Sequence, residues 1–223
     1  MLHAVNSAPE KFSVTHETLN KLFAMGKKYR FMFDDGYQSI FDILTSAVPG
    51  ICSRVHIFLV VGKIGGINDW DTSGELSGKP LLTWEQIGEL RKLGVRLGSH
   101  SLTHTDLTKL DDAGLEREVK ESKRILEEQL GQEVEGFAYP FGFFNKKVIE
   151  AVREAKYKWA VTTSDSIWEG WGNPYRLRRI NISGLDPDWL LSAKINGLYD
   201  IKAVWELPRL IQEKVTLFFS AGR

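Results

Sequence analysis

The 223-residue sequence lacks several features that would fix a class at once. Its single cysteine, Cys52, excludes an internal disulfide framework. It has no excess charge, with 29 basic and 29 acidic residues, and no run of five or six like charges. Nothing therefore draws it to nucleic acid or to an anionic surface, and a neutral or mixed substrate fits better. The longest apolar stretch, Val55 to Val61, is interrupted by His56 and falls far short of the ~20 residues that span a bilayer, so no membrane-spanning segment is expected. The first fifteen residues include His3, Glu10 and Lys11 and lack the apolar core of a secretory signal. That reads as cytoplasmic, with an extracytoplasmic location open if the chain is a mature fragment. Repeats, low-complexity tracts and Pro/Ser-rich linkers are missing too, so residues 1–223 are expected to form a single domain. Oligomeric state is not indicated.

What is present is an alternation. Short β-rich runs at Tyr29 to Phe33, Val55 to Val61, Val95 to Gly98, Phe137 to Tyr139, Trp159 to Thr162 and Leu177 to Ile182 are mostly separated by helical patterns. Such βα order predicts a parallel sheet. Thr83-Trp84-Glu85-Gln86 is a capping box that starts one helix, and Gly94 ends it. Leu115 to Leu130 puts Leu115, Val119, Leu126 and Leu130 near one face, with its other faces charged and solvated and Gly131 as the stop. Further helices are expected over Asn145 to Ala155 and Thr15 to Ala24. Six or more βα units suggest a barrel. An eight-stranded barrel usually takes ~250 residues, so the expected fold is α/β, a distorted or incomplete (β/α) barrel with about seven parallel strands.

Two polar clusters fall at the ends of predicted strands, where parallel βα architectures place their sites. Asp34-Asp35-Gly36 follows the first run, and His100 with His104 follows the third. Alone, each has a bland explanation: Asp-Gly is a common turn pair, and histidines four apart arise by chance on helix faces. Together they make a stronger case. If the segment after the strand forms one helical turn, the two imidazoles align, and a carboxylate from the neighbouring strand end completes a three-ligand set with a position left open for water. Zinc is the first choice of metal, although other divalent first-row ions accept the same ligands.

These residues resemble the polysaccharide deacetylases of the NodB-homology type, and the resemblance covers nearly the whole chain. FMFDDGY at Phe31 to Tyr37 is similar to that family's first motif, which implies Asp34 as catalytic base and Asp35 as metal ligand. SHSLTH at Ser99 to His104 is similar to the second, which implies His100 and His104 as the other two ligands. The third motif departs: Ala138-Tyr139-Pro140-Phe141 has no Arg to orient the base. A similar FAYPFG segment occurs in the branch of biofilm poly-N-acetylglucosamine deacetylases. That likeness implies Arg179, in Arg178-Arg179-Ile180, as the base-orienting residue, Phe141 as the backbone oxyanion donor and Tyr139 at the substrate. No histidine follows His104, so the general acid usually supplied near the C-terminus must come from elsewhere. The same branch carries it at the N-terminus, which implies His3 in Met1-Leu2-His3-Ala4-Val5.

Trp70, Trp168 and Trp171 lie in Gly- and Asp-rich segments where an aromatic face could pack on a sugar, and Trp70 and Trp168 enter the expected site. Asp165 reads as a solvated loop residue, His56 as a satisfied core histidine and His16 as an exposed helix-start residue. The implied activity is metal-dependent removal of acetyl groups from an N-acetylated glycan. The alternatives are an amidohydrolase acting on a small C–N substrate and a sugar-binding relative without turnover.

Overall fold

A computed structural model describes residues 1–25, 29–46, 50–163 and 172–196; Asp165, Trp168 and Trp171 lie outside the described residues. The chain divides into two compact units, Met1–Asp186 and Pro187–Arg223. The first unit opens with β1 (Ala4–Val5) and β2 (Ser13–Val14), which pair in parallel, followed by α1 (His16–Met25). Then come β3 (Phe31–Phe33), α2 (Phe41–Thr45), β4 (Val55–Leu59), α3 (Trp84–Lys92) and β5 (Arg96–Ser99). The remainder is α4 (Asp112–Glu116), α5 (Ser122–Leu130), β6 (Gly136–Ala138), α6 (Lys146–Glu154) and β7 (Trp159–Val161).

Strands β3 to β7 form one parallel sheet in sequence order. All five residues of β4 are buried, as a strand covered on both faces requires. At one edge, Leu2 bridges Phe33 in parallel, and at the other, Leu177 bridges Val161 in parallel. The two outer segments also meet each other: the Met1 nitrogen donates to the Ile180 carbonyl at 2.5 Å, and the Ile182 N–H donates to the Met1 carbonyl at 3.0 Å. The hydrogen-bonded circuit thus closes through seven parallel segments, two of them held by single bridges. This is the distorted barrel that the alternation predicts.

Local chemistry sets the helices. Thr83 and Gln86 make the reciprocal capping box, and Gly131 closes α5 in the left-handed conformation at φ 60°. Asn145 caps α6 by accepting from the Val148 N–H. The predicted Leu115 to Leu130 helix is a longer rod from Asp112 to Leu130, broken by one π-helical turn over Arg117–Glu121. Its polar side is not uniformly solvated, because Glu118 and Lys123 are buried. His16 is exposed at the start of α1 as expected. His56 is buried and stacked on Phe58 at 4.6 Å, but its Nε2 has no hydrogen-bond partner, so it is a core histidine only partly satisfied. In the second unit, the described residues include α7 (Asp188–Ile195). No helix among the described residues is long and apolar enough to cross a membrane.

Candidate metal centre and active site

The site is assembled from the C-terminal ends of two staves, β3 and β5, which have β4 between them and are not the adjacent strands expected from the sequence. Asp34 and Asp35 follow β3, and His100 and His104 follow β5. Asp35, His100 and His104 are all buried and offer ligand atoms that lie within 4.8 Å of one another. The Asp35 Oδ1 is 3.5 Å from His100 Nε2 and 3.3 Å from His104 Nε2. Zinc–ligand bonds of ~2.0–2.1 Å give a tetrahedron with edges of about 3.3 Å, so this spacing suits a small divalent ion. Asp35 Oδ1 is buried with no hydrogen-bond partner, an uncompensated oxygen aimed between two imidazoles.

Protonation supports the same reading. His100 Nδ1 lies 2.8 Å from the Ala138 carbonyl and donates to it, leaving the Nε2 lone pair facing Asp35. Burial lowers the pKa of both His100 and His104, which keeps them in the neutral form that binds metals. Burial raises the pKa of Asp35, and the nearby Asp34 and Asp71 raise it further, opposed by a hydrogen bond from Tyr37. A cation is what this crowded acidic position calls for. Behind it, the Asn68 side chain donates to the Tyr37 hydroxyl at 2.7 Å and to Asp71 at 2.9 Å, and receives the Asp71 N–H.

The backbone is unusual at the same place. Among the described residues, four of the five non-glycine residues with positive φ are Asp35 (68°), Ser101 (67°), His104 (61°) and Phe141 (57°). The turn from His100 to His104 is therefore not the helical turn expected from their spacing. Two left-handed residues bring the imidazoles together instead, and the Ser101 hydroxyl accepts the His104 N–H at 3.1 Å. Gly36 is required after the aspartate pair: its φ is 83°, and a Cβ there would sit 2.7 Å from Leu59 Cδ2.

Asp34 is held by Arg179, whose Nη1 and Nη2 lie 2.6 and 2.7 Å from its two oxygens. Desolvation alone would raise the Asp34 pKa, but Arg179 and His100 outweigh it and hold the carboxyl well below its usual range. Arg179 Nε donates to the Thr162 carbonyl at 3.0 Å, and its guanidinium lies over the Phe58 ring. A buried Arg on the seventh stave thus reaches the carboxylate that the third-motif position, occupied by Ala138, cannot.

His3 lies between Leu2, bridged to Phe33, and β1, so the segment expected as an inner strand is an ordered stave. Burial lowers its pKa to about 4, with Asp34 raising it and Arg179 and His100 lowering it further, so the ring sits within their fields. Phe141 follows β6. Pro140 has no N–H, and those of Gly142 and Phe143 bond back to Tyr139 and Pro140, leaving the Phe141 N–H without a protein acceptor among the described residues. Gly142 permits this turn at φ 73°, where any Cβ would collide with the Thr163 side chain.

Trp70 packs 4.7 Å from the His104 ring, and the Phe141 ring lies 4.6 Å from it. Phe143 continues this aromatic rim 5.9 Å beyond Phe141, and the two phenyl rings are 53% and 44% exposed. Tyr139 does not join it. It has no exposed surface, and its hydroxyl donates to the Tyr175 carbonyl at 2.9 Å, so in place of the expected position at the substrate the ring lies in the core beneath the turn. The Phe143 ring and the Tyr37–Asn68–Asp71 network were not singled out in the sequence, although FGFF could have suggested an exposed aromatic pair.

The polysaccharide deacetylase family model matches residues 25–160, which contain both aspartates and both histidines. The chain belongs to the polysaccharide deacetylase family. Within it, YxkH of Bacillus subtilis (strain 168), which carries the same family name, is 25% identical over 68% of this chain. The chain spans about half the length of that relative (50%). Among solved structures, the Streptococcus pyogenes deacetylase PplD in complex with acetate superposes with a TM-score of 0.69 at 20% identity, covering 83% of this chain and 91% of PplD. IcaB from Ammonifex degensii gives 0.65 at 17% identity, covering 89% and 94%. Both solved structures share the fold of this chain.

Proposed function

We propose that this chain is the single catalytic domain of a metal-dependent deacetylase that removes acetyl groups from N-acetylated sugars of a polysaccharide or oligosaccharide. The observation that carries the proposal is the pairing of Arg179 with Asp34 beside three converging ligands, Asp35, His100 and His104. A structural metal site needs no adjacent buried carboxylate kept ionised by a dedicated arginine.

Asp35, His100 and His104 would hold one divalent ion, zinc by ligand type. When bound, such an ion acidifies water and polarises a carbonyl. Asp34 takes a proton from the attacking water, with Arg179 fixing its orientation. The Phe141 N–H donates to the oxyanion that develops on the acetyl carbonyl. His3 first takes up a proton and then passes it to the sugar nitrogen as the C–N bond breaks, because an amide anion is a poor leaving group. Acetate and a free amine result. Trp70 offers a face to the sugar ring beside the scissile group.

The test is acetate release from a panel of N- and O-acetylated glycans, N-acetylglucosamine oligomers included, with the bound metal identified by elemental analysis. Release from small C–N substrates alone would replace this reading with a small-molecule amidohydrolase. Oligosaccharide binding without acetate release would replace it with a sugar-binding protein.

A further inference from the structure

The segment between the two histidine ligands faces a residue that no recognised motif contains. Glu118 lies in the π-helical turn Arg117–Glu121 and is buried. Its Oε2 accepts the N–H groups of Leu102 and Thr103, both at 2.9 Å, and its Oε1 accepts the Thr103 hydroxyl at 2.7 Å. Three donors from residues 102 and 103, midway between His100 and His104, therefore end on one carboxylate.

We propose that Glu118 is a positioning residue of the metal centre, fixing the His100–His104 turn so that both imidazoles present Nε2 to Asp35. This rests on the metal-centre reading above. The physical case begins with the turn itself. Ser101 and His104 both occupy the left-handed region, where non-glycine residues are strained, so the surroundings must hold the turn in place. Residues 102 and 103 have left the sheet, and their N–H groups need acceptors from another element. A carboxylate meets both amides and the hydroxyl at once, with charge-assisted bonds.

Contacts other than those of Glu118 also dock the rod. Leu115, Val119 and Leu126 are buried along it, and the Ser99 hydroxyl bonds to the Ser122 hydroxyl at 2.9 Å. The wide turn changes which residues face the loop. π-helical turns inside α-helices occur frequently at functional sites, and here the turn carries the one rod carboxylate bonded to the ligand turn.

The test compares full-length wild type with Glu118→Ala, Glu118→Gln and Ser122→Ala. Zinc affinity is read by chelator competition and ligand geometry by the visible spectrum of the cobalt-loaded protein, neither of which needs turnover. Loss of an outer-shell partner typically weakens metal binding roughly 10- to 100-fold, and that is the expectation for Glu118→Ala, together with a changed cobalt spectrum. Glu118→Gln, which keeps the shape and one acceptor oxygen, should lose less. Ser122→Ala, which loosens the rod without touching the turn, should bind zinc as wild type does. If Glu118→Ala does not fold, Glu118→Gln decides. Wild-type affinity and spectrum in the folded Glu118 variants would overturn the proposal, as would an equal loss in Ser122→Ala. Wild-type protein that binds neither ion would instead remove the metal-centre reading itself, and this inference with it.

Discussion

Arg179 and Asp34, 145 residues apart in the chain, meet side by side through two parallel contacts of 2.6 and 2.7 Å. Both are buried, so each depends on the other's charge. Arg179→Met alone should cost about 3–5 kcal/mol, because it strands a buried carboxylate. Arg179→Met combined with Asp34→Asn should recover most of that stability and none of the activity. Urea unfolding of the two single variants and the double variant measures the coupling; purely additive losses would show that the pair is not a unit.

Asp34 and Asp35 are neighbours with different surroundings. Asp34→Asn should keep metal and lose roughly 10²–10⁴-fold in turnover, the usual weight of a general base. His104→Ala should lower metal occupancy far more than folding stability, because one neutral imidazole of a three-ligand site is gone. Elemental analysis beside a deacetylase assay separates the two. Loss of metal in Asp34→Asn would exchange the roles of the aspartates.

His3 is neutral at pH 7, with its pKa held at about 4 by burial. As the proton donor of the proposed mechanism it would take up a proton during turnover. His3→Ala should keep fold and metal, lose roughly 10²–10⁴-fold on acetamides and lose less on acetate esters, whose leaving group needs less protonation. Equal losses on the two substrate types would remove His3 from the leaving-group step.

The buried His56 has a pKa lowered from 6.5 to about 3 by burial, with Arg96 adding to the shift. Below its unfolded value, the unfolded chain binds the proton that the folded chain refuses. Its neutral form therefore stabilises the fold fully above about pH 6.5, and the contribution is lost as pH falls toward 3. The slope approaches about 1.4 kcal/mol per pH unit. His56→Phe should flatten the acid limb of the metal-free protein in denaturant unfolding from pH 7 to 4. An unchanged slope would assign the acid sensitivity elsewhere.

Phe143 is 53% exposed and continues the rim formed by Trp70 and Phe141 around His104. Phe143→Ala should raise KM for N-acetylated oligosaccharides by about 2- to 10-fold, the worth of one aromatic contact, and leave a small acetate ester unaffected. Equal effects on both substrates would place the change at the reacting centre instead.

How far the sequence could be read depended on what kind of contact was involved. Asp34, Asp35, His100 and His104 stand in short motifs at strand ends, and strand periodicity is local, so both the alternation and the candidate cluster of Asp35, His100 and His104 were legible. The Thr83–Gln86 box and Gly131 were legible for the same reason. Glu118 was not: a glutamate in a helix reads as solvated, and only the π turn and the packing of the rod bury it. Membership of a motif does not tell which way Tyr139 points: strand alternation puts its ring beside Phe137 in the core. Arg179 was suggested by family likeness, but nothing local in Arg178-Arg179-Ile180 tells which of the two arginines turns inward.

The stave formed by residues 1–5 sits between β3 and the 177–182 segment, so it can dock only when partners from both ends of the unit are in place. The Met1 to Ile180 contact spans 179 residues, about the most expensive loop this unit can close. On loop-closure grounds His3 and the stave that carries Arg179 are expected to join in one late event. During refolding, strand content and metal-ligand geometry should recover first and amide hydrolysis last. The same topology makes the stave replaceable: a chain beginning after residue 6 leaves a slot open on both sides, which a separate peptide of the first six residues could fill, restoring His3 and closing the ring together.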